Sequence, residues 1–246
     1  MKIDFYYWGS MCPISNEIIA RLGKHKGEFD IHLHDFTHDP SVAKRERIFF
    51  PFMTVIDGVH RFYKPISDKF INTLLAGGMP EETPYLPQLS ARERTCTIEP
   101  ISSANYSVAS RCTGRECCEK RECKPLMYSS VPNGIMGFMN TENGILLGGA
   151  EYYPSVLVPY DVPKGNDTAF ITCVYMSGGQ YDYKSAPLRA LERHLAQTYK
   201  KVIVISDEAG VFPNGDMAFF LRNGYSDKGV IFADDYCKLH LLSKEL

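Results

Sequence analysis

Between residues 168 and 176 the chain carries nine residues, TAFITCVYM, that are apolar or β-branched almost without interruption, and SGGQYDYKSAPLRAL follows directly. A short apolar run bounded by turn residues reads as a strand buried on both faces. Leu188, Leu191 and Leu195 then recur at helical spacing, Pro187 suits a first turn and Ser185 a cap, so a helix is expected over Pro187 to Tyr199. A buried strand running through a short loop into a helix packed on it places the chain in the α/β class. It also leaves backbone N–H groups unpaired at the helix start, where they can hold a phosphate.

The rest of the second half extends that layer. RTCTIEPIS alternates as a strand, and Asn143-Gly144 between GFMN and GILLGGAEYYP marks a hairpin. KVIVIS reads as a further buried strand, Asp216 to Arg222 as a helix, and GVIFAD as the closing strand.

The first half is organised differently. KIDFYYW alternates, with Ile3, Phe5 and Tyr7 on one face, and GSMC then leads into a helix opened by Pro13. A second strand is expected over Phe29 to Phe36, a polar helix around Val42 to Ile48, a strand in FFPFMTVIDG that turns at Asp57-Gly58 into HRFY, and a helix over Asp68 to Leu75. GGMPEETPYLPQLS, with three prolines and no periodicity, reads as a linker. The expected domains are therefore 1–78, a linker at 79–90, and 91–246.

The order βαβ, hairpin, helix, with Cys12-Pro13-Ile14-Ser15 at the first helix start and Pro51 just before the third strand, resembles the thioredoxin-like family over Met1 to about Gly78. That resemblance implies a redox role for Cys12. Independently, a cysteine at a helix N-terminus has its thiolate stabilised by the dipole and free amides. With serine at position 15 it could form mixed disulfides but not resolve them locally, and a docking module without redox chemistry is the competing reading.

From Arg94 to Phe232 the element order resembles the GNAT N-acetyltransferase superfamily, whose strand-to-helix loop reads Arg/Gln-x-x-Gly-x-Gly/Ala. Here the frame is Gln180, Tyr181, Asp182, Tyr183, Lys184 and Ser185, followed by Leu188. Tyr183 stands where the first glycine belongs. The resemblance implies acetyl-CoA as acyl donor, its diphosphate held by amides of this loop and its thioester oxygen by a backbone N–H within Val174, Tyr175 and Met176. Lys184 would pair with a phosphate, whereas Asp182 would disfavour one unless it faced solvent. The fold expected overall is α/β, a thioredoxin-like domain followed by a GNAT mixed-sheet domain.

NGDMAFFLRNGY resembles the family's segment ending in Gly-Phe, matching at Gly224-Tyr225. It puts Phe220 where many members have a tyrosine that protonates the departing thiolate, so either another group such as Tyr181 or Tyr225 is the acid, or turnover is slow or absent. Glu151 in GGAEYYP is the candidate general base, since similar members carry Glu-Tyr-x-Pro there. A carboxylate paired at a strand end is the alternative.

Eight cysteines need separate explanation. Cys112, Cys117, Cys118 and Cys123 have four, zero and four residues between them, unlike the Cys-x2-Cys pairs of structural zinc sites, so no metal is expected there beyond a partial soft-metal set. Surface thiols or an acceptor-pocket wall are the other readings. His32 and His34 share one face of a strand, with His38 beyond, and read as its polar side.

A balance of 27 basic against 29 acidic residues gives a net charge of -2 and no basic stripe, which argues against a nucleic-acid partner. The N-terminus lacks a signal-peptide pattern and no run approaches a membrane span, so a cytoplasmic protein without a membrane partner is expected. The leading reading is an acetyl-CoA-dependent N-acyltransferase acting on a small-molecule or peptide amine, with a homodimer left open. The alternative is a thiol-redox, ligand- or metal-binding protein whose GNAT-like half no longer catalyses transfer.

Overall fold

The computed structural model describes Met1–Leu246 except residues 10, 87–89, 113–130, 177–179, 211 and 213. The chain divides into two compact units. The first takes Met1–Thr83 together with Pro159–Asp161, and the second takes the other described residues from Pro84 onward.

The first unit runs β1 (Lys2–Tyr7), α1 (Pro13–Gly23), β2 (Asp30–Asp35), α2 (Pro40–Arg45), β3 (Phe52–Ile56), β4 (His60–Phe62) and α3 (Asp68–Leu75). Its sheet has the order β2-β1-β3-β4, with β1 parallel to β2 and antiparallel to β3. A parallel pair needs a crossover, and α1 supplies it. FMTVI is apolar enough to be buried along its whole length as β3, whereas the alternating Asp and His residues of β2 are tolerated because β2 is an edge. Asp57 and Gly58 both take positive φ, 50° and 72°, as a tight hairpin requires. The Ser67 hydroxyl accepts from Phe70 N at 3.2 Å and starts α3, which buries Ile71 and Leu74.

One ring in this core comes from far along the chain. Tyr160, 3% exposed, meets Trp8 edge-on at 5.3 Å and lies 6.3 Å from Phe36 and 6.5 Å from Phe49. Each such aromatic pair adds about 0.5–1.5 kcal/mol beyond area burial.

The second unit is a mixed α/β fold. Its elements are β5 (Thr97–Ile101), α4 (Tyr106–Ala109), β6 (Gly137–Glu142), β7 (Ile145–Pro154), β8 (Thr168–Met176), α5 (Ser185–Leu195), β9 (Lys201–Asp207), α6 (Met217–Arg222), β10 (Ser226–Ala233) and β11 (Lys238–Glu245). Seven strands form one sheet in the order β10-β11-β9-β8-β7-β6-β5, antiparallel throughout except for β8 with β9. Asn143 and Gly144, at φ 52° and 76°, close the β6–β7 hairpin. Leu188, Leu191 and Leu195 of α5 are 0–1% exposed.

Several boundaries differ from expectation, among them α2, which spans Pro40–Arg45 rather than Val42 to Ile48. α5 starts at Ser185 and ends at Leu195 rather than running from Pro187 to Tyr199. The sheet does not close on GVIFAD either: KLHLLSKE forms β11, inserted between β10 and β9. Its His, Ser and Lys residues break the apolar alternation, and it is a strand because both neighbours pair with it.

Candidate functional site

β8 and β9 run parallel but share a ladder of only three pairs, Thr168↔Lys201, Ala169↔Val202 and Phe170↔Ile203. Beyond that point β8 continues to Met176, held by β7 alone, and β9 continues to Asp207, held by β11. The two strands therefore part, leaving a wedge whose walls are Ile171–Met176 and Val204–Asp207. At the far end of the β9 wall Asp207 is bridged to Asp216.

The narrow end of the wedge is bridged by Asn214, which is 2% exposed. Its Nδ2 donates to Ile205 O at 3.2 Å and to Ile171 O at 3.5 Å, one carbonyl from each strand, while its Oδ1 is buried with no partner among the described residues. A buried acceptor left unmet costs about 1–3 kcal/mol, so this is a position with capacity to spare. Gly215 follows at φ 91°, and its carbonyl accepts from the Ser206 hydroxyl at 2.7 Å, fixing the start of α6 to the end of β9.

The loop after β8 is held by backbone pairing and by its own carboxylate. Residues 177–179 lie outside the described residues; Gln180 is exposed and Tyr181 half-buried. Asp182 N donates to Arg92 O at 2.9 Å and Arg94 N to Asp182 O at 3.0 Å, while the Arg92 and Arg94 guanidinium groups lie 5.6 and 5.5 Å from the Tyr181 ring centre. Buried Asn140 donates to Arg94 O and Tyr183 O and accepts from Cys96 N, tying the same two segments.

Asp182 does not face solvent. It is 9% exposed, and its Oδ1 accepts from Lys184 N at 2.9 Å and Ser185 N at 3.0 Å while Oδ2 accepts from the Ser185 hydroxyl at 2.6 Å. The amides expected to grip a diphosphate are thus met by the protein's own carboxylate. Nor does Ser185 cap α5: Lys184 is the N-cap residue and Asp182 satisfies the first turn. An aspartate just ahead of a helix start is a sequence signal for such a cap, although Ser185 is the residue expected to supply it.

Lys184 does not turn toward the loop mouth. It is 5% exposed, its Nζ lies 4.0 Å from the centre of the Phe219 ring, and a Cβ placed on Gly215 would meet that Nζ at 3.2 Å. Its side chain thus spans from the β8–α5 connection to the start of α6. Burial pulls its pKa down, reinforced by Arg222, against the opposing pull of Asp216 and Asp182. Tyr183 is 8% exposed, and its carbonyl lies where a side chain on Gly148 would go.

Glu151 and Cys173 are directly opposed on β7 and β8, so their side chains share a face. Phe138, which meets His194 of α5 at 5.9 Å, pairs with Ala150 and hence with Val174 on the face toward α5. Glu151 consequently projects to the opposite face, over Gly137, whose missing side chain leaves room for it: a Cβ there would come 3.0 Å from Glu151 Cγ. Glu151 is 3% exposed. Val174 and Tyr175 are buried and Met176 is half-buried at the strand end.

Tyr225 is placed elsewhere, among Phe220 at 5.2 Å, Lys244 and Glu192. Lys244 Nζ donates to Glu192 Oε2 at 2.6 Å and Asn223 O at 2.9 Å. Burial, and then Glu192, push the Tyr225 hydroxyl pKa well above its ordinary value, so its proton stays in place.

In the first unit, Cys12 is the N-cap residue of α1, half-buried, with Pro13 in the first turn and Ser15 fully buried beneath. Trp8 N donates to Pro51 O at 2.9 Å, which brings Pro51 beside the strand end that leads to Cys12. His32 pairs with Asp30, and His34 with buried Asp4 at 2.8 Å. Cys112 is half-buried, while Cys117, Cys118 and Cys123 fall outside the described residues.

No protein-family model and no curated protein sequence matches the chain. Among solved structures, it is similar to the aminoglycoside 6'-N-acetyltransferase from Enterococcus faecium, at 11% identity and a TM-score of 0.44, over 61% of this chain and 97% of the other. An aminoglycoside 6'-N-acetyltransferase complexed with coenzyme A gives 11%, 0.45, 61% and 97%. The ribosomal-protein-S18-alanine N-acetyltransferase from Escherichia coli gives 12%, 0.42, 61% and 92%. No helix among the described residues is long and apolar enough to cross a membrane.

Proposed function

We propose that the second unit is a GNAT-type N-acyltransferase that takes an acyl group from acetyl-CoA and passes it to a small-molecule or peptide amine. The observation that carries this reading is the parting of β8 from β9 after Phe170 and Ile203. It opens a slot between the two strands, suited to an extended, amide-bearing thioester arm. In this reading an amide within Val174–Met176 receives the developing oxyanion. Glu151, on the face away from α5, takes the proton from the attacking amine. Asn214 Oδ1 accepts from an amide of the arm. The order β2-β1-β3-β4 and the place of Cys12 at the start of α1 support a thioredoxin-like first unit with Cys12 as its reactive thiol.

Titration with acetyl-CoA tests this. Ligand at 100 times its Kd stabilises the native state by about 2.7 kcal/mol, so the melting temperature rises, and thiol is released when an amine acceptor is added. No shift at millimolar ligand removes the reading.

Asp182 favours a second reading. A carboxylate already seated on the Lys184 and Ser185 amides competes with a diphosphate. A unit that holds a ligand in the wedge without transferring an acyl group would bind acetyl-CoA weakly and release no thiol with any amine.

A further inference from the structure

A strand at the edge of a sheet is a template for a further strand, and proteins blunt such edges by shortness, proline, bulges or lysine. Among the described residues, three of the edges are blunted in these ways. β4 is three residues long, β5 carries Pro100, and β10 has two register shifts and Gly229 at φ 108°. β2 has none of these devices: it is six residues, DIHLHD, in unbroken parallel register with β1, and its carboxylates stand at the two ends. Asp30 N donates to Met1 O and Phe36 N to Tyr7 O, both at 3.1 Å, so the even-numbered residues turn their main-chain groups to β1. By the alternation of a strand, Ile31, Leu33 and Asp35 turn theirs outward, where no described residue meets them. Leu33, 41% exposed, and half-buried Ile31 also share one face of the strand.

We propose that β2 pairs with β2 of a second copy of this chain, antiparallel about a two-fold axis through His32, joining the two first-unit sheets edge to edge. Outward main-chain groups must face each other, so the axis passes through a residue rather than between two. Centred on His32, the strand is self-complementary. Ile31 of each copy faces Leu33 of the other in a hydrogen-bonded pair, and Asp30 faces His34, a carboxylate against an imidazole. Centred on Leu33, apolar Ile31 would face Asp35, whose carboxylate already accepts from Thr37 N at 2.9 Å. Centred on Ile31, the pairing would run no further than Asp30 and His32 within the strand. A junction of one short strand from each copy falls below the roughly 1,200 Å² of a standard stable interface, so the pair forms reversibly as concentration rises.

Sedimentation velocity of the full chain, from about 1 μM to about 300 μM, should show the mass moving from one chain toward two. Leu33→Pro removes an outward N–H and no bond to β1, so the variant should fold and associate at least about ten-fold more weakly. Leu33→Lys should weaken association as well, whereas Val59→Lys, at an apolar residue 73% exposed on the β3–β4 turn, should not. His32→Cys places a thiol at a non-hydrogen-bonded pair with Cα atoms about 4.5 Å apart, so mild oxidation should join position 32 to position 32 of the second copy. Peptide mass spectrometry identifies that link, and Leu33→Cys should not form its counterpart. A chain that stays single at about 300 μM overturns the inference. So does association that both Leu33 variants leave unchanged, since the contact would then lie elsewhere, and so does a link at 33 in place of 32. If Leu33→Pro does not fold, Leu33→Lys and the cross-link decide.

Discussion

Replacing Asp182 by alanine removes three hydrogen bonds from the start of α5 at once, to Lys184 N, Ser185 N and the Ser185 hydroxyl. Loss of an N-terminal cap costs about 0.5–2 kcal/mol. Donors left buried without an acceptor raise that, since each carries about 1–3 kcal/mol of unmet desolvation where water does not reach it. A loss of about 2 kcal/mol is the central expectation, and at about 2–4 °C per kcal/mol for a domain of this size the melting temperature falls by roughly 4–8 °C. Asp182→Asn keeps one acceptor oxygen and should lose less than half as much. Thermal unfolding gives the size of the effect, and hydrogen exchange at the Lys184 and Ser185 amides locates it. In the alanine variant those amides are open to a diphosphate, so acetyl-CoA should bind more tightly although the protein is less stable. Melting within about 1 °C of the parent, with exchange at the two amides unchanged, would refute the cap; it would mean the carboxylate is ornamental to the helix.

Tyr160→Ala should destabilise the first unit by about 3 kcal/mol through loss of a buried ring, measured by denaturant unfolding with Trp8 fluorescence as the probe. Asp4 is held below the ordinary carboxylate range: burial alone would raise its pKa, but hydrogen bonds from His34 and Lys2 outweigh it. The stability this supplies is present above the unfolded pKa of about 3.9 and is lost as pH falls through the folded value. Asp4→Asn should therefore be about 1 kcal/mol less stable at pH 7, the partners being half-exposed, with the gap closing in urea melts as pH falls through the lowered folded pKa of Asp4. Gly148→Ala puts a methyl 2.7 Å from Tyr183 O and 3.0 Å from Tyr175 O, both backbone atoms, and should cost about 1–3 kcal/mol by the same assay.

The elements that could be read from the sequence are those with a single strong local signal. TAFITCVYM is β8 to the residue, DKFINTLL is α3, and Asn143-Gly144 makes its hairpin, because burial on both faces, helical spacing and a positive-φ pair each leave a plain trace. β11 left none, since its strand character comes from two neighbours rather than its own residues. The site divides the same way. Composition and spacing point to the loop after β8, but which way Asp182 and Lys184 turn depends on Arg92, Arg94, Gly215 and Phe219, from about 30 to 90 residues away in sequence. Asn214 opens the segment NGDMAFFLRNGY, and nothing local marks that its side-chain amide reaches two separate strands.

The Tyr160 ring has a consequence for how the chain is made. About half of the second unit's sequence must emerge from the ribosome before the residue that completes the first unit's interior is available. At about 5–20 residues per second, the N-terminal sheet waits several seconds with a vacancy beside Trp8 and Phe49. Cutting the gene at the linker would make that delay permanent, so an isolated fragment ending near Thr83 should refold in the test tube to an aggregate-prone, ANS-binding species rather than a finished domain.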